Sequence, residues 1–359
     1  MKILSIVGAR PQFVKAAVLS RIFLQKGMNE ILVHTGQHFD HGMSEVFFEE
    51  MEIPTPAYNL GINGSTHGEM TGKMLAAIEQ VILKEQPDAV LVYGDTNSTL
   101  AGALAAKKLH IPVVHVEAGL RSFNNQMPEE INRVVTDRIS DVLYVPTQTA
   151  IQNLKNEGFN HLDATIVLSG DVMQDAATFY AQKAASEQGV LANLKTNEFV
   201  LCTLHRAENT DNPERLAALV KGLNKLHKQI SVVIPLHPRT RDKLKAANLK
   251  LETTTIDPVG YFDMIRLINA SSLVITDSGG LQKEAYFFKK NCVTMRDQTE
   301  WLELVEHGFN KLVGADADQL VNAAIEMLRK QNDFSISLYG DGTAGVEIAE
   351  HLHQYLMNK

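Results

Sequence analysis

The chain has 359 residues, enough for two domains of ordinary size, and a formal net charge of −8 at pH 7. Its 45% apolar and 21% charged residues are typical of a soluble globular protein, which excludes a disordered chain, a collagen and a repeat array. The negative charge argues against a nucleic-acid partner, and no apolar stretch is long enough for a membrane span. Because no signal peptide is apparent and both cysteines, Cys202 and Cys292, lie in apolar runs typical of buried thiols, we expect a cytoplasmic protein.

Short apolar runs alternate with amphipathic, helix-length segments along the whole chain. Such runs are typical of strands buried on both faces of a parallel sheet. The predicted strands are 2–8, 30–36, 89–95, 113–119, 142–147 and 165–170, then 199–205, 231–237, 253–257, 273–277, 292–296 and 311–313. Helical spacing is clearest at 68–84, 99–109, 213–229, 318–330 and 343–357. Because twelve strands are too many for one such sheet, the pattern predicts two doubly wound α/β sheets of about six strands, divided near residues 170–195.

Basic residues follow the first predicted strand. Arg10 and Lys15 lie where a helix is expected to begin, with Pro11 at its first position. A helix N-terminus favours an anion, and ligands of open parallel sheets bind at the carboxyl ends of the strands. The segment is therefore a candidate anion site, with a solvated basic turn as the alternative.

Carboxylates follow the next strands of the first half. Asp95 ends the third strand, where it could equally cap a helix. Glu117 ends the fourth strand, and a Glu at an apolar strand end is uncommon because burying a charge is costly unless it is paired or used. Glu129 and Glu130 open a helix, a placement that the helix dipole alone would also explain. The first half thus places a set of carboxylates at or after the strand ends, of which Glu117 is the strongest candidate for a functional role.

The second half repeats this arrangement. His205 and Arg206 follow one apolar strand, and Ser278-Gly279-Gly280 opens a helix after another. Free backbone N–H groups at such a helix start can bind a phosphate, and Glu284, one turn later, could accept hydrogen bonds from a ribose. Together with the first half, these residues predict a site for an anionic nucleotide with acid and base groups nearby.

The segments GARPQFVK, GDTNSTLA, HVEAGLRS, MPEEINR, HRAEN and TDSGGLQKEA, the MRD stretch and the terminal YGDG give the chain a specific resemblance over its whole length. It resembles the non-hydrolysing UDP-N-acetylglucosamine 2-epimerases of bacteria. The resemblance implies two Rossmann-like domains in the GT-B arrangement, with the C-terminal helix crossing back to the first domain. The implied catalytic domain comprises 1–171 and 343–359, and the implied UDP-binding domain comprises 172–342.

The resemblance also implies a reaction, the reversible inversion at C2 of a UDP-2-acetamido sugar. UDP is eliminated across C1–C2 to give a 2-acetamidoglucal and is then added back. This chemistry needs general acid and base groups and stabilisation of the leaving diphosphate. The implied partner is the UDP-sugar substrate, with neither a hydride cofactor nor a metal, and the implied assembly is a homodimer.

Carried over to this chain, the family's roles fall on the same residues. Asp95, Glu117 and Glu129 become the acid and base groups, and His205, with Arg206 beside it, contacts the diphosphate or the sugar. Arg10 and Lys15 neutralise phosphate charge, Ser278, Gly279 and Gly280 bind diphosphate oxygens, and Glu284 holds the ribose.

One departure concerns substrate choice. Typical members read Thr-Glu-Arg-Pro-Glu where this chain has Thr299-Glu300-Trp301-Leu302-Glu303, so Trp301 replaces a ligand-binding arginine. A tryptophan can stack on a ligand but cannot pair with an anion. The relatives that use UDP-2,3-diacetamido-2,3-dideoxyglucuronate share this feature, so that sugar and UDP-N-acetylglucosamine are both expected substrates. Arg121, Arg133 and Arg206 are the candidate partners of a uronate carboxylate.

Three other functions remain compatible with the same UDP site. A GT-B glycosyltransferase would share the fold but would need an acceptor site, and it should not need three carboxylates around C2. A hydrolysing epimerase would release free sugar and UDP. A non-catalytic UDP-sugar sensor could lose Asp95, Glu117 and Glu129, all of which this chain retains.

Overall fold

The computed structural model describes residues 1–37, 51–185, 189–196 and 198–358, and only the backbone of Arg10. The chain divides into two units, Met1–Ala176 with Ser337–Lys359 and Ala177–Ile336. The division at 171/172 and 342/343 expected from the sequence stays a prediction about independently folding domains.

The first unit is built on a sheet of seven parallel strands in the order β3-β2-β1-β4-β5-β6-β7. The strands are β1 (Lys2–Val7), β2 (Asn29–His34), β3 (Tyr58–Asn59), β4 (Ala89–Tyr93), β5 (Val113–Val116), β6 (Val142–Val145) and β7 (Thr165–Leu168). The central strands β4 and β5 are wholly buried, as their continuous apolar runs predict. Strand β3 was not predicted, because two residues are too few to form a pattern.

Helices connect the strands of the first unit. They are α1 (Arg10–Gln25), α2 (His67–Glu85), α3 (Asn97–Lys108), α4 (Pro128–Ile139) and α5 (Gln148–Asn156), with a 3-10 turn at Phe159–His161. Helix α6 (Val172–Ala184) follows the last strand and spans the division between the units. Small residues let α3 approach the sheet, since a Cβ atom on Gly102 would lie 3.1 Å from the side chains of Ile6 and Val92. Because α3 begins just after β4, this close packing fixes the segment that carries Asp95.

The second unit has six parallel strands in the order β10-β9-β8-β11-β12-β13. The strands are β8 (Val200–Thr203), β9 (Val232–Pro235), β10 (Thr254–Ile256), β11 (Leu273–Thr276), β12 (Cys292–Thr294) and β13 (Asn310–Leu312). The helices are α7 (Ala207–Thr210), α8 (Pro213–His227), α9 (Pro238–Ala246), α10 (Tyr261–Ala270), α11 (Gly279–Phe287), α12 (Leu302–Glu306) and α13 (Ala317–Arg329), with a 3-10 turn at Gly189–Asn193. Each of the twelve predicted apolar runs overlaps one of the observed strands, and β2 and β13 begin one residue before their runs. Cys202 and Cys292 are buried free thiols, as predicted.

The last helix, α14 (Ala344–Met357), packs against α1 and belongs to the first unit. Its close approach requires Gly345, because a Cβ atom there would lie 2.7 Å from the side chains of Val18 and Ile22. The buried Asp175 accepts a 2.7 Å hydrogen bond from the Gly345 amide, in the first turn of α14. This carboxylate therefore anchors the start of the terminal helix.

We expect Asp175 to make the stability of the protein depend on pH. Burial raises the pKa of Asp175 to about 6, although the amides of Gly345 and Ala344 oppose the rise. Because the folded state favours the protonated acid, its stabilising contribution is complete below pH 4 and is lost as the pH rises through about 6, a loss of about 2 kcal/mol between pH 4.5 and 7.5. Urea unfolding of the wild type and Asp175→Asn across this range should show the variant gaining relative stability by that amount. A difference that does not change with pH would contradict the prediction.

Candidate active site

The carboxyl ends of β1, β4 and β5 lie side by side, because these strands are neighbours in a parallel sheet. Gln12 joins the first two ends. Its Oε1 accepts hydrogen bonds from the Gly8 and Ala9 amides at 2.8 and 3.0 Å, and its Nε2 donates to the Tyr93 carbonyl at 2.7 Å. The turn that precedes Lys15 is therefore fixed to the segment that precedes Asp95. The sequence analysis did not single out Gln12, although its position one turn into the helix is a usable signal.

Glu117 has a strained backbone at the end of β5. Its φ is +70°, a value that a residue with a Cβ adopts only at a cost of about 1–3 kcal/mol. The carboxylate forms an ion pair with Lys15, and both side chains are largely buried. The Glu117 and Ala118 amides both donate to the Tyr144 carbonyl, at 3.1 and 3.0 Å. Strain of this kind concentrates at functional sites, which supports the candidate role of Glu117.

Asp95 follows Gly94, which has a φ of +60°, and its side chain is about one-third exposed. The carboxylate pairs with Arg133 of α4, and Asn132 of the same helix donates to the Asp95 carbonyl at 2.9 Å. Asp95 does not cap a helix. The N-cap residue of α3 is Thr96, whose side chain accepts a hydrogen bond from the Thr99 amide. The Asp95 carboxylate is therefore held against a cation at the sheet edge.

The two glutamates that open α4 differ sharply. Glu130 is buried, accepts from the Ser122 and Phe123 amides at 3.0 and 2.9 Å, and pairs with Arg133. Burial acts to raise the pKa of Glu130, but the Ser122 amide and Arg133 outweigh it, so the pKa lies below its ordinary value. Glu129 is only partly buried in the first turn of the helix. Glu130 thus holds the preceding loop, and Glu129 is the more accessible carboxylate.

The first unit therefore places two ion pairs at neighbouring strand ends, Lys15 with Glu117 and Arg133 with Asp95. Arg133 was expected from the sequence only as a possible partner of a substrate carboxylate. The side chain of Arg10 lies outside the described part of the structure, so its role in phosphate binding stays a prediction.

In the second unit, β8 and β11 are neighbours, and their ends meet at Asp277. This fully buried carboxylate accepts hydrogen bonds from the amides of His205, at 3.1 Å, and Arg206, at 2.9 Å. It also accepts from the Asn209 side chain at 3.3 Å. Asp277 therefore orients the segment that carries both candidate ligand residues. It was missed as a functional residue, although an acid at a buried strand end was the signal used for Glu117.

Helix α11 begins with a polar, open turn. Ser278 is its N-cap residue, and no side chain caps the helix there. A Cβ atom on Gly280 would meet nothing within 4 Å. A Cβ atom on Gly279 would meet the Glu300 carboxylate, which pairs with Arg296, and would lie 3.5 Å from Nη2 of Arg206. No described residue pairs with the Arg206 side chain, while the His205 side chain is 44% exposed. The start of α11 thus lies beside the Arg206 guanidinium and the paired Glu300 carboxylate, and its amides and the guanidinium are the groups suited to an anion.

Two further predicted residues lie in the interior of the second unit. Glu284 is largely buried beside Tyr261, and burial together with this carboxylate raises the pKa of Tyr261. Trp301 is only 3% exposed, and Nζ of the buried Lys283 lies 3.9 Å from the centre of its ring. The indole thus forms a cation–π contact with a lysine of α11.

Within the described ranges, no group of three or more His, Cys, Asp or Glu side chains is arranged to hold a metal ion. The helices in those ranges include none that is long and apolar enough to cross a membrane.

Comparisons with known proteins agree on one family. The family model described as UDP-N-acetylglucosamine 2-epimerase matches residues 22–353. The chain is 60% identical, over 98% of its length and 99% of the relative, to UDP-2,3-diacetamido-2,3-dideoxy-D-glucuronate 2-epimerase of Pseudomonas aeruginosa. It is 43% identical to UDP-N-acetylglucosamine 2-epimerase of Methanocaldococcus jannaschii, over 98% of this chain and 99% of the relative.

A solved structure of the Methanocaldococcus jannaschii enzyme, in complex with UDP-GlcNAc and UDP, matches with a TM-score of 0.92, covering 99% of this chain and 100% of that one. These matches confirm the fold class expected from the sequence, two Rossmann-like α/β domains of the GT-B class. They also confirm the resemblance on which that expectation rested. The chain belongs to the UDP-N-acetylglucosamine 2-epimerase family.

Proposed function

We propose that this chain inverts C2 of UDP-2,3-diacetamido-2,3-dideoxyglucuronate by eliminating UDP and adding it back. The relative that acts on this sugar is 60% identical, against 43% for the Methanocaldococcus jannaschii UDP-N-acetylglucosamine enzyme. The observation that carries the proposed chemistry is the pair of carboxylates at the ends of β4 and β5, Asp95 and Glu117, each held against a cation.

The proposed reaction begins with removal of the C2 proton by one of these carboxylates. The electron pair of the C–H bond forms the C1–C2 double bond, and the C1–O bond breaks so that UDP leaves with the electron pair of that bond. The resulting glycal is protonated at C2 on the opposite face while a phosphate oxygen of UDP re-forms the bond to C1. Asp95, Glu117 and Glu129 supply and accept the protons.

The second unit is proposed to bind the nucleotide. The hydroxyl of Ser278 and the amides of Gly279 and Gly280 can donate to diphosphate oxygens, where negative charge develops as UDP leaves. His205 is proposed to contact the diphosphate or the sugar, and Glu284 the ribose hydroxyls. The homodimer and the cytoplasmic location expected from the sequence stay predictions.

The test is an NMR time course with the diacetamido uronate in deuterated water. Because the acid and base groups exchange protons with solvent, we expect the epimeric product to carry deuterium at C2. A product that retains its full protium at C2 would overturn the proposed elimination. Release of free sugar in place of an epimeric UDP-sugar would instead identify a hydrolysing enzyme.

A further inference from the structure

A buried histidine lies behind the candidate active site. His115 is in β5 and is fully buried. Its Nδ1 lies 2.7 Å from Oδ1 of Asp137, and its Nε2 lies 2.7 Å from the Gly94 carbonyl oxygen. Both partners are acceptors, so both ring nitrogens face a hydrogen-bond acceptor.

The other oxygen of Asp137 extends this contact to a second turn. Oδ2 accepts from the Gly119 amide at 3.0 Å and from Nη1 of Arg121 at 2.7 Å. Burial acts to raise the pKa of Asp137, but His115 and Arg121 outweigh it, so the pKa lies below its ordinary value. Arg121 also forms a bidentate pair with Glu157, at 2.6 and 2.7 Å. Each charge in the network is therefore compensated, as a buried charge requires.

The network touches the backbone on both sides of the proposed catalytic groups. Gly94 directly precedes Asp95, and Gly119 follows Glu117 by two residues. Gly94, Glu117 and Gly119 all have positive φ, at +60°, +70° and +79°. In the described structure His115, Asp137 and Arg121 make no hydrogen bond to the side chains of Asp95, Glu117 or Glu129. The network can therefore affect chemistry only by placing the two turns.

We propose that His115, Asp137 and Arg121 are positioning residues, which hold the turns carrying Asp95 and Glu117 in one fixed alignment. This inference rests on the proposed function, because it concerns the alignment of the two proposed acid and base groups. His115 fixes the carbonyl before Asp95, and Asp137 fixes the amide after Glu117. A displacement of about 1 Å between reacting groups can cost about 10²-fold in rate.

The test compares Asp137→Asn with Asp175→Asn. Both changes convert a buried carboxylate of the first unit that accepts a glycine amide. Only Asp137 is linked to the two turns, directly to Gly119 and through His115 to Gly94. The asparagine of Asp137→Asn would have one side-chain oxygen that accepts hydrogen bonds and one NH2 group that only donates. It therefore loses either the contact with His115 or the contacts with Gly119 and Arg121. We expect Asp137→Asn to lower kcat by about 10–100-fold, with UDP affinity, proposed to reside in the second unit, within about twofold of wild type. Asp175→Asn should keep kcat within about threefold.

A second readout separates misalignment from instability. If the two turns lose their alignment, the return of a proton to C2 of the glycal is slowed, and more turnovers should end in released glycal and UDP. We expect the ratio of released glycal to epimer to rise for Asp137→Asn and to stay at the wild-type value for Asp175→Asn. Loss of folded protein alone would lower the rate without changing this ratio.

Arg121→Lys keeps a cation near Asp137 but loses the bidentate contact with Glu157, and it serves if Asp137→Asn does not fold. We expect a smaller fall in kcat, about 3–10-fold, with the same rise in released glycal. Folded variants with wild-type kcat and wild-type product ratio would overturn the positioning role, as would an equal loss of UDP affinity. Failure of the proposed function would show separately, as a wild-type product without deuterium at C2.

Discussion

Glu117→Gln is expected to lower kcat by about 10²–10⁴-fold and to change UDP affinity by less than about threefold. Glutamine keeps the shape of the side chain and can still accept a hydrogen bond from Lys15, but it cannot take up or release the proton at C2. The φ of +70° at Glu117 costs free energy of folding. A residue without a specific role would not need to adopt it. Turnover by NMR and UDP binding by calorimetry measure the two quantities.

Asp95→Asn and Glu129→Gln are expected to show losses in the same range, because each removes one proposed acid or base group. The matched control is Glu69→Gln, since Glu69 also pairs with a lysine, Lys73, but does so on the exposed surface of α2. That variant should keep wild-type turnover, because an ion pair between exposed side chains contributes little to stability and this one lies on the surface of α2. Near-normal turnover in all three site variants would show that the catalytic assignment is wrong.

Glu129 and Glu130, at the start of α4, have different surroundings that the sequence does not predict. The helix dipole explains both Glu129 and Glu130, and nothing in the sequence separates them. The structure separates them through the loop before the helix, whose amides at Ser122 and Phe123 turn toward Glu130. That loop conformation includes a φ of +57° at Phe123, which no local pattern indicates.

The strands could be predicted because a strand buried on both faces of a sheet has a continuous run of apolar residues. All twelve runs overlap strands, whereas the two-residue β3 and the exact ends of the strands show no such pattern. Because the carboxyl ends of parallel strands lie at one edge of a sheet, the sequence also predicted that Asp95 and Glu117 lie at the same edge. The fold could thus be derived in outline from composition and periodicity alone.

The partners of the site residues were less predictable, because they come from other elements. His115 and Asp137 are 22 residues apart, and Asp95 and Arg133 are 38 apart. Each pairing depends on how α4 packs beside the ends of β4 and β5, which sequence spacing does not define. Asp277 is the exception, because an acidic residue at the end of a buried strand is the same pattern that indicated Glu117.

Trp301 illustrates a different limit. A tryptophan in place of a ligand-binding arginine suggests a flat wall for the sugar, but the ring is buried and lies against Lys283. The structure therefore favours an effect of Trp301 through Lys283 over direct contact with the sugar. Trp301→Phe keeps an aromatic ring there, so we expect it to leave the choice between sugars unchanged.

For that choice, we expect a catalytic efficiency about 10²-fold higher on the diacetamido uronate than on UDP-N-acetylglucosamine. Burying the methyl of the extra acetamido group is worth roughly 1 kcal/mol, or about fivefold. A charge-assisted hydrogen bond to the carboxylate is worth about 1.5–3 kcal/mol. The larger part of the preference should therefore depend on one cation.

Arg206 is the best placed of the three candidate cations. Arg121 and Arg133 each already hold two carboxylates in the first unit and are almost fully buried. Arg206 is only partly buried, and it forms no ion pair with any residue that the structure describes, since the nearby Glu300 carboxylate pairs with Arg296. Arg206→Gln should therefore reduce the preference from about 10²-fold to about fivefold, the share left to the methyl group. Arg215→Gln is the matched control, because Arg215 lies nearby but is already paired with Asp297 at 2.9 Å.

A competition assay with both UDP-sugars in one reaction measures the ratio of kcat/KM values directly, without dependence on the amount of active enzyme. If Arg206→Gln lowered the use of both sugars equally, its partner would be the diphosphate that they share, and the carboxylate would need another cation. If the wild type used the two sugars with equal efficiency, the uronate carboxylate would have no dedicated cation. A buried cation without its anion costs more free energy than burial of the methyl group gains, so a dedicated cation would make UDP-N-acetylglucosamine the poorer substrate. The sign of the preference thus tests the proposed substrate, and its loss on removing Arg206 tests the residue that recognises it.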